Sequence, residues 1–89
     1  MPNCLIDGEI AEFKQQEKPT KSAIAHEIKK AKEQRARIVY VKALNDMEKE
    51  ELKLGLKSEV LRSPIKLVFL DWKNKIYNLT RKQIRELDW

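Results

Sequence analysis

The first chemistry that the sequence offers is a carboxylate and an ammonium group two residues apart, in Glu12-Phe13-Lys14. Residues 9–14 alternate with period two, which predicts a strand with Glu12 and Lys14 on one face and Phe13 on the other. The carboxylate can take a proton or bind a metal ion, and the lysine can offset charge on the transition state of phosphodiester cleavage. An ordinary ion pair on a half-exposed strand explains the same spacing.

A second set of polar side chains lies at the start of a predicted helix. Free backbone N–H groups at a helix N-terminus attract anions, and an imidazole titrates near neutral pH. This segment carries Lys18, Thr20, Lys21, Ser22 and the sole histidine, His26. It therefore predicts a phosphate-binding helix start, with a capped helix that has a basic, solvated face as the structural alternative.

The third group of candidates mixes aromatic and basic residues near the C-terminus. Aromatic rings among cations suit stacking on unpaired bases and contact with phosphates. The group consists of Arg62, Lys66, Trp72, Lys73, Lys75, Tyr77, Arg81 and Lys82. The alternative is that Tyr77 belongs to the core and that Trp72 is a hairpin-loop residue without a ligand.

Composition sets limits on these chemistries. The 89 residues are 42% apolar and carry a net charge of +5, which predicts one small domain over 1–89 and mildly favours a polyanionic partner. One cysteine, Cys4, allows no internal disulfide and no zinc set, so we expect a reducing compartment such as the cytoplasm. The longest apolar run, residues 67–70, is far below the roughly 20 residues of a membrane span. No membrane partner is expected.

The elements that must position these residues alternate along the chain. We predict a strand or strand pair over 5–14, helices from 20 or 22 to about 35 and from about 46 toward 61, strands over 38–41, 65–70 and 75–79, and a short helix over 81–89. Thr20 or Ser22 can cap the first helix. Asn45 and Thr80 are predicted caps, because Glu48 and Gln83 complete capping boxes. Gly55 is a weak point of the second helix.

These elements define an α+β fold in the order β-α-β-α-β-β-α. We predict an antiparallel sheet of about four strands, with two main helices and a short C-terminal helix. The nearly continuous apolar run over 65–70 is typical of a central strand that is covered on both faces.

Certain bacterial toxin ribonuclease domains open on strands with the pattern Asp-Gly-x-x-x-Glu-Phe/Val-Lys. This chain resembles them in Ile6-Asp7-Gly8-Glu9-Ile10-Ala11-Glu12-Phe13-Lys14, and is similar to their next helix and strand in Ser22-Ala23-Ile24, Ile28-Lys29-Lys30-Ala31, Glu33-Gln34 and Ile38-Val39. The family is the tRNase type of C-terminal toxin domain in contact-dependent inhibition proteins, with relatives in phage and conjugative elements. Its fold is grouped with barnase, EndoU, colicin tRNases and RelE, abbreviated BECR.

The resemblance covers roughly residues 5–80 and implies cleavage of tRNA, in anticodon or acceptor regions, without a metal ion or other cofactor. It further implies an acidic immunity protein as a partner and delivery as part of a larger secreted protein. The positions of this chain that match the family are Glu12, Lys14, Thr20, Lys21, Ser22, Lys30 and Gln34.

Metal-free RNA cleavage needs a base for the 2′-hydroxyl proton, a cation at the phosphate and an acid for the leaving 5′-oxygen. As a hypothesis, Glu12 or His26 is the base, and Lys14 with Lys21 supplies the positive charge. Ser22 or Thr80 orients the phosphate or the ribose. The predicted RNA-binding residues are Thr20, Lys30, Gln34, Trp72, Lys73, Thr80 and Arg81.

Two other functions use the same residues. A non-catalytic module would bind nucleic acid or a protein through its positive charge. A metal-dependent nuclease with a Pro-Asp…Glu-x-Lys core would bind Mg²⁺ through Asp7 and Glu12 and activate water with Lys14. Only four residues separate Asp7 from Glu12, which is short for the hairpin of such an enzyme.

Overall fold

The structure is a computed structural model that describes the backbone of Cys4–Ile6 and all of residues 8–89. Its elements are β1 (Cys4–Ile6), β2 (Glu9–Gln15), α1 (Lys21–Glu33), β3 (Ile38–Lys42), α2 (Lys49–Val60), β4 (Leu67–Trp72), β5 (Lys75–Thr80) and α3 (Arg81–Glu86). The α+β class and the predicted order of elements are confirmed, and the first predicted strand is a pair, β1 and β2.

The described residues form a sheet of five strands in the order β1-β2-β3-β4-β5. The outer pairs β1–β2 and β4–β5 are antiparallel, whereas β2, β3 and β4 are parallel to one another. The predicted antiparallel pairing therefore holds at the two edges but not in the centre. The reason is that α1 and α2 are crossover connections, and a helix that links neighbouring strands brings the chain back in the same direction.

All three helices contribute to one core on one face of the sheet. Both crossovers advance across the sheet in the same direction, and right-handed crossovers of that kind place their helices on the same side. The core joins Val39, Val41, Val68, Leu70 and Leu79 of the sheet to Ile24, Ile28, Leu52, Leu56 and Ile84 of the helices. We call this side of the sheet the helix face and the other side the open face.

The strand β4 is buried on the helix face only. It begins at Leu67, two residues later than predicted, and its burial alternates along the strand. Val68 and Leu70 are fully buried on the helix face, while Phe69 is half-buried on the open face. The expectation of a strand covered on both faces is wrong, because a parallel centre of only three strands has both its helices on one side.

The start of α2 also differs from the prediction. The helix begins at Lys49 with Glu48 as its N-cap, so the predicted capping box of Asn45 and Glu48 does not form. The preceding backbone is held by tertiary hydrogen bonds instead: Leu44 N–H donates to Gln16 Oε1 at 2.8 Å, and its carbonyl accepts from Trp72 Nε1 at 3.1 Å. These bonds fix the chain in a non-helical path before the helix can begin.

Gly55 lies where α2 packs against α1, and its lack of a side chain permits that contact. A Cβ at this position would clash with Ile24 Cγ2 and lie 3.1 Å from the carbonyl oxygen of Lys21. Ile24 is fully buried, so a shift of its side chain would disturb the surrounding core. The residue predicted as the weak point of α2 is therefore required for the close approach of the two helices.

Replacement of Gly55→Ala should destabilise the protein even though alanine is the better helix former. We expect a net loss of up to about 2 kcal/mol, since overpacking costs about 1–3 kcal/mol and the helix preference returns about 1 kcal/mol. Urea denaturation measures the difference. Glu51→Ala, at an exposed position of the same helix, should change stability by less than about 0.5 kcal/mol. A Gly55→Ala protein more stable than the wild type would contradict this packing.

The guanidinium group of Arg81 closes the C-terminal end of α2. Nη1 donates to the carbonyl oxygens of Val60, Ser63 and Ile65 at 2.7–2.8 Å, and Nη2 lies 3.4 Å from that of Leu61. A cation is favourable at a helix C-terminus, where carbonyl groups have no partner within the helix. Arg81 thus joins α3 to the end of α2 and to the segment leading into β4, and both of its Nη atoms are engaged within the protein.

Removal of this group in Arg81→Ala should lower the free energy of unfolding by about 1.5–3 kcal/mol, the range for hydrogen bonds to a charged group. Arg81→Lys should recover less than half, because an ammonium group lacks the planar fork that reaches several carbonyls. Chemical denaturation of both variants, with the exposed Arg62→Ala as the matched control, tests this. Equal stability of the Arg81→Ala and Arg62→Ala proteins would exclude the capping role.

Candidate functional site

The carboxylate and lysine of β2 lie side by side on the helix face, as predicted. Lys14 Nζ is 3.7 Å from Glu12 Oε2. The Glu12 side chain is fully buried, whereas that of Lys14 is 14% exposed. Within the described part of the chain, neither carboxylate oxygen of Glu12 has a hydrogen-bond partner. The pair is therefore not the half-exposed ion pair considered above: Lys14 reaches the surface, and Glu12 lies beneath it.

The Lys14 side chain lines a surface groove that runs between β2 and α1. One depression of about 480 Å³ is lined by Phe13, Lys14, Gln15, Glu17, Glu27, Lys30, Tyr40 and Lys42. A second, of about 440 Å³, is lined by Glu17, Lys18, Thr20, Ser22, Ala23, His26 and Glu27. The two depressions share Glu17 and Glu27, and together they form what we call the lysine groove.

Glu27 is the nearly buried acid of the lysine groove, with 6% of its surface exposed. Its Oε2 lies 2.9 Å from Lys30 Nζ. This hydrogen bond raises the pKa of the Lys30 ammonium, since the carboxylate stabilises the charged form. A carboxylate at this depth can exchange a proton with a bound molecule, while Lys14 and Lys30, which line the same depression, attract an anion.

Glu27 is absent from the sequence-based candidates, although the pattern of α1 contains a signal for it. It lies three residues after Ile24 and next to Ile28, both fully buried, and so at the border of the apolar stripe. Lys30 follows three residues later, at the spacing that brings side chains together on a helix. An acid at the margin of an apolar stripe, with a lysine one turn on, is the pattern that identifies it.

The start of α1 contributes two predicted residues to the lysine groove. Thr20 is the N-cap, as predicted, and its side-chain oxygen accepts the Ala23 N–H at 3.1 Å. Ser22 and His26 lie one helical turn apart, are exposed and line the second depression beside Glu27. Lys21 lies on the flank of α1 that meets Gly55 of α2. The structure thus brings Ser22 and His26 near Glu27 but leaves Lys21 apart from Lys14.

The other predicted RNA-binding residues do not line the lysine groove. Gln34 is the C-cap of α1, and Thr80 is the N-cap of α3 in a complete capping box. Trp72 is 6% exposed in the core, with its indole N–H bonded to Leu44. Lys73 lies in the β4–β5 turn, with Nζ 4.7 Å from the Trp72 ring centroid, and Arg81 caps α2. Trp72 and Arg81 of the third sequence group therefore have structural roles.

The open-face wall of the lysine groove comes from β2 and β3. The Tyr40 hydroxyl donates to Asp71 Oδ2 at 2.8 Å, and this hydrogen bond to a carboxylate raises the pKa of the phenol. The Phe13 and Tyr40 rings lie 5.7 Å apart at 45°, within the range of tilted aromatic pairs. Lys42, at the end of β3, adds a further cation to this wall.

Removal of the carboxylate in Asp71→Asn should lower the pKa of Tyr40 toward its ordinary value of 10.0. The protonated phenol then loses its hydrogen bond to an anion. Titration of tyrosinate absorbance in a Tyr77→Phe background isolates Tyr40, and Asp88→Asn, at an exposed carboxylate, is the control. Superimposable titration curves for the Asp71→Asn and Asp88→Asn proteins would show that the hydrogen bond to Asp71 does not raise the pKa of Tyr40.

Two further properties can be stated for the described residues. Within residues 8–89, no three His, Cys, Asp or Glu side chains are grouped so that they could hold a metal ion. Asp7, the proposed Mg²⁺ ligand of the alternative nuclease, lies outside the described residues. Among the described helices, none is both long and apolar enough to cross a bilayer.

The fold and the groove together define a small α+β domain with a basic, open cleft. A family model described as "Contact-dependent growth inhibition CdiA C-terminal domain" matches residues 1–76 of the chain. The protein belongs to this family of toxin domains, and the predicted likeness to contact-dependent inhibition toxins is confirmed at that level. Neither the curated proteins nor the solved structures contain a match to the chain.

Proposed function

We propose that this protein is a toxin ribonuclease that cleaves tRNA in the lysine groove without a metal ion. The observation that supports it is the position of Glu27, a nearly buried carboxylate with Lys14 and Lys30 on one side and His26 on the other. Membership of the CdiA C-terminal family supports a toxic activity. The whole chain, residues 1–89, acts as a single nuclease domain, and its grouping with the BECR fold is part of the proposal.

The proposed reaction is an attack of the ribose 2′-oxygen on the neighbouring phosphorus. Glu27 takes the 2′-hydroxyl proton, whereas Glu12 is fully buried and cannot contact a bound ribose. The new P–O2′ bond gives a 2′,3′-cyclic phosphate, the P–O5′ bond breaks, and His26 gives a proton to the leaving 5′-oxygen. Lys14 and Lys30 neutralise the charge that develops on the phosphate, and Ser22 orients it.

The same groove supports the expected partner and place of action. Four lysines line it, Lys14, Lys18, Lys30 and Lys42, so an immunity protein with an acidic surface would block substrate and dock by charge complementarity. The family name places such domains at the C-terminus of CdiA proteins, which supports delivery within a larger secreted protein. Its substrate would be met in the cytoplasm of the target cell.

Incubation of the purified protein with total tRNA in EDTA tests the proposal, with cleavage measured as discrete fragments. Glu27→Gln should reduce the rate by about 10²–10⁴-fold, the usual contribution of a positioned proton-transfer group. Glu12→Gln should leave the rate within a few-fold, because Glu12 lies beneath the groove. Lys29→Ala, on the exposed side of α1, is the matched charge control and should cleave at the wild-type rate.

Lys14 needs a paired variant, because its removal leaves Glu12 as a buried charge without a partner, which is strongly destabilising. The double variant Glu12→Gln/Lys14→Met removes both charges and should fold but lose turnover. Loss of activity in Glu12→Gln alone, with Glu27→Gln fully active, would return the base to Glu12. Cleavage of plasmid DNA that requires Mg²⁺ would favour the metal-dependent alternative. No cleavage of either nucleic acid would favour a binding module.

A further inference from the structure

The open face of the sheet carries an apolar hollow beside the lysine groove. Strand register places Phe13, Tyr40, Phe69 and Asn78 in one row across the four strands, with Ala11 and Ile38 in the next. The hollow has a volume of about 350 Å³ and is lined by Ala11, Glu12, Phe13, Ile38, Tyr40, Phe69, Ile76 and Asn78. Two of its residues are large apolar side chains with high exposure, Phe13 at 37% and Ile76 at 54%.

Two residues belong to both the hollow and the lysine groove. Phe13 and Tyr40 line each of them, so the two depressions meet along these rings. A ligand that fills both must be flat and apolar at one end and anionic at the other. A nucleotide has both properties, because its base is flat with two π-faces and its phosphate carries the negative charge.

We propose that an unpaired base of RNA stacks on Phe13 in this hollow while its adjoining phosphate lies between Lys14 and Lys42. The inference rests on the proposed function, since it names the form of RNA that the lysine groove accepts. Aromatic side chains on an open sheet are a common platform for unpaired bases, which stack with little regard to sequence. The lysines at the rim favour this occupant over an apolar surface of another protein.

Contacts within the protein also hold the Phe13 ring, the proposed stacking surface, in a defined orientation. Tyr40 contacts the Phe13 ring, and the Tyr40 hydroxyl donates a hydrogen bond to Asp71. This hydrogen bond fixes the Tyr40 ring against which Phe13 packs. Asn78, exposed at the far side of the hollow, has an amide that can both donate and accept a hydrogen bond at a base edge. The hollow thus offers one stacking surface and one polar contact.

The first test measures binding without cleavage. Fluorescein-labelled 2′-O-methyl oligouridine cannot be cleaved at the blocked 2′-oxygen, and its anisotropy reports affinity. Phe13→Ala and Phe13→Leu should each weaken binding by about 5- to 150-fold, the loss that corresponds to one base–aromatic stack. Phe13→Trp should retain the affinity, and the added indole fluorescence should be quenched on binding. Leu54→Ala, at an exposed leucine on α2, should bind like the wild type.

The second test uses an abasic oligonucleotide of the same length, which keeps the phosphates and lacks the bases. Wild type and Phe13→Ala should bind it equally. Equal affinity of Phe13→Leu and wild type for oligouridine would overturn the stacking, because leucine keeps the apolar bulk without the ring. A wild type that does not bind oligouridine would also overturn it and would leave a protein surface as the ligand of the hollow.

The failure of this inference is distinguishable from that of the proposed function. If the wild type cleaves tRNA in EDTA and Phe13→Ala has the same affinity and the same kcat/KM, the ribonuclease stands and the stacking site is wrong. If Phe13→Ala weakens binding of oligouridine while no variant cleaves any RNA, the stacking site stands and the ribonuclease is wrong. Circular dichroism of each variant confirms that the comparison is between folded proteins.

Discussion

The constraint on which the rest of this structure depends is that both crossover helices lie on one side of the sheet. The strands β2, β3 and β4 follow one another across the sheet, so α1 and α2 pack together and cover the same face. Residues that alternate along a strand consequently meet opposite environments. Glu12 is fully buried under the helices, and its neighbour Phe13 is 37% exposed on the open face.

This division explains why only the lysine of the charged pair of β2 lines the lysine groove. Burial of a carboxylate is costly unless a cation stays close, and Lys14 is the group that supplies the opposite charge. Lys14 Nζ lies 3.7 Å from Glu12 Oε2 and Lys14 also lines the groove, so the lysine is the member of the pair that a bound molecule can contact. The acid accessible from the groove comes from the helix instead, at Glu27, beside its own lysine.

The sequence predicted those features that depend on neighbours along the chain, and it failed for those that depend on register or on distant backbone. Thr20 and Thr80 cap their helices as predicted, because a cap is satisfied within three residues. Asn45 does not, because bonds from Gln16 and Trp72 hold the adjacent Leu44. Arg81 has the residue type of a phosphate ligand, but its partners are carbonyl oxygens about twenty positions away.

The meeting of the hollow and the lysine groove at Phe13 also limits the form of substrate that the proposed ribonuclease can accept. Phe13 and Lys14 are adjacent in the chain and point to opposite faces of β2, so a nucleotide that contacts both must bend around the strand. A base paired in an A-form helix is stacked on both sides and cannot enter the hollow. Under the proposed function, cleavage would therefore occur where bases are unpaired and can leave the stack, as in the anticodon loop or at the single-stranded end of the acceptor arm, and the paired stems of the same tRNA would be spared.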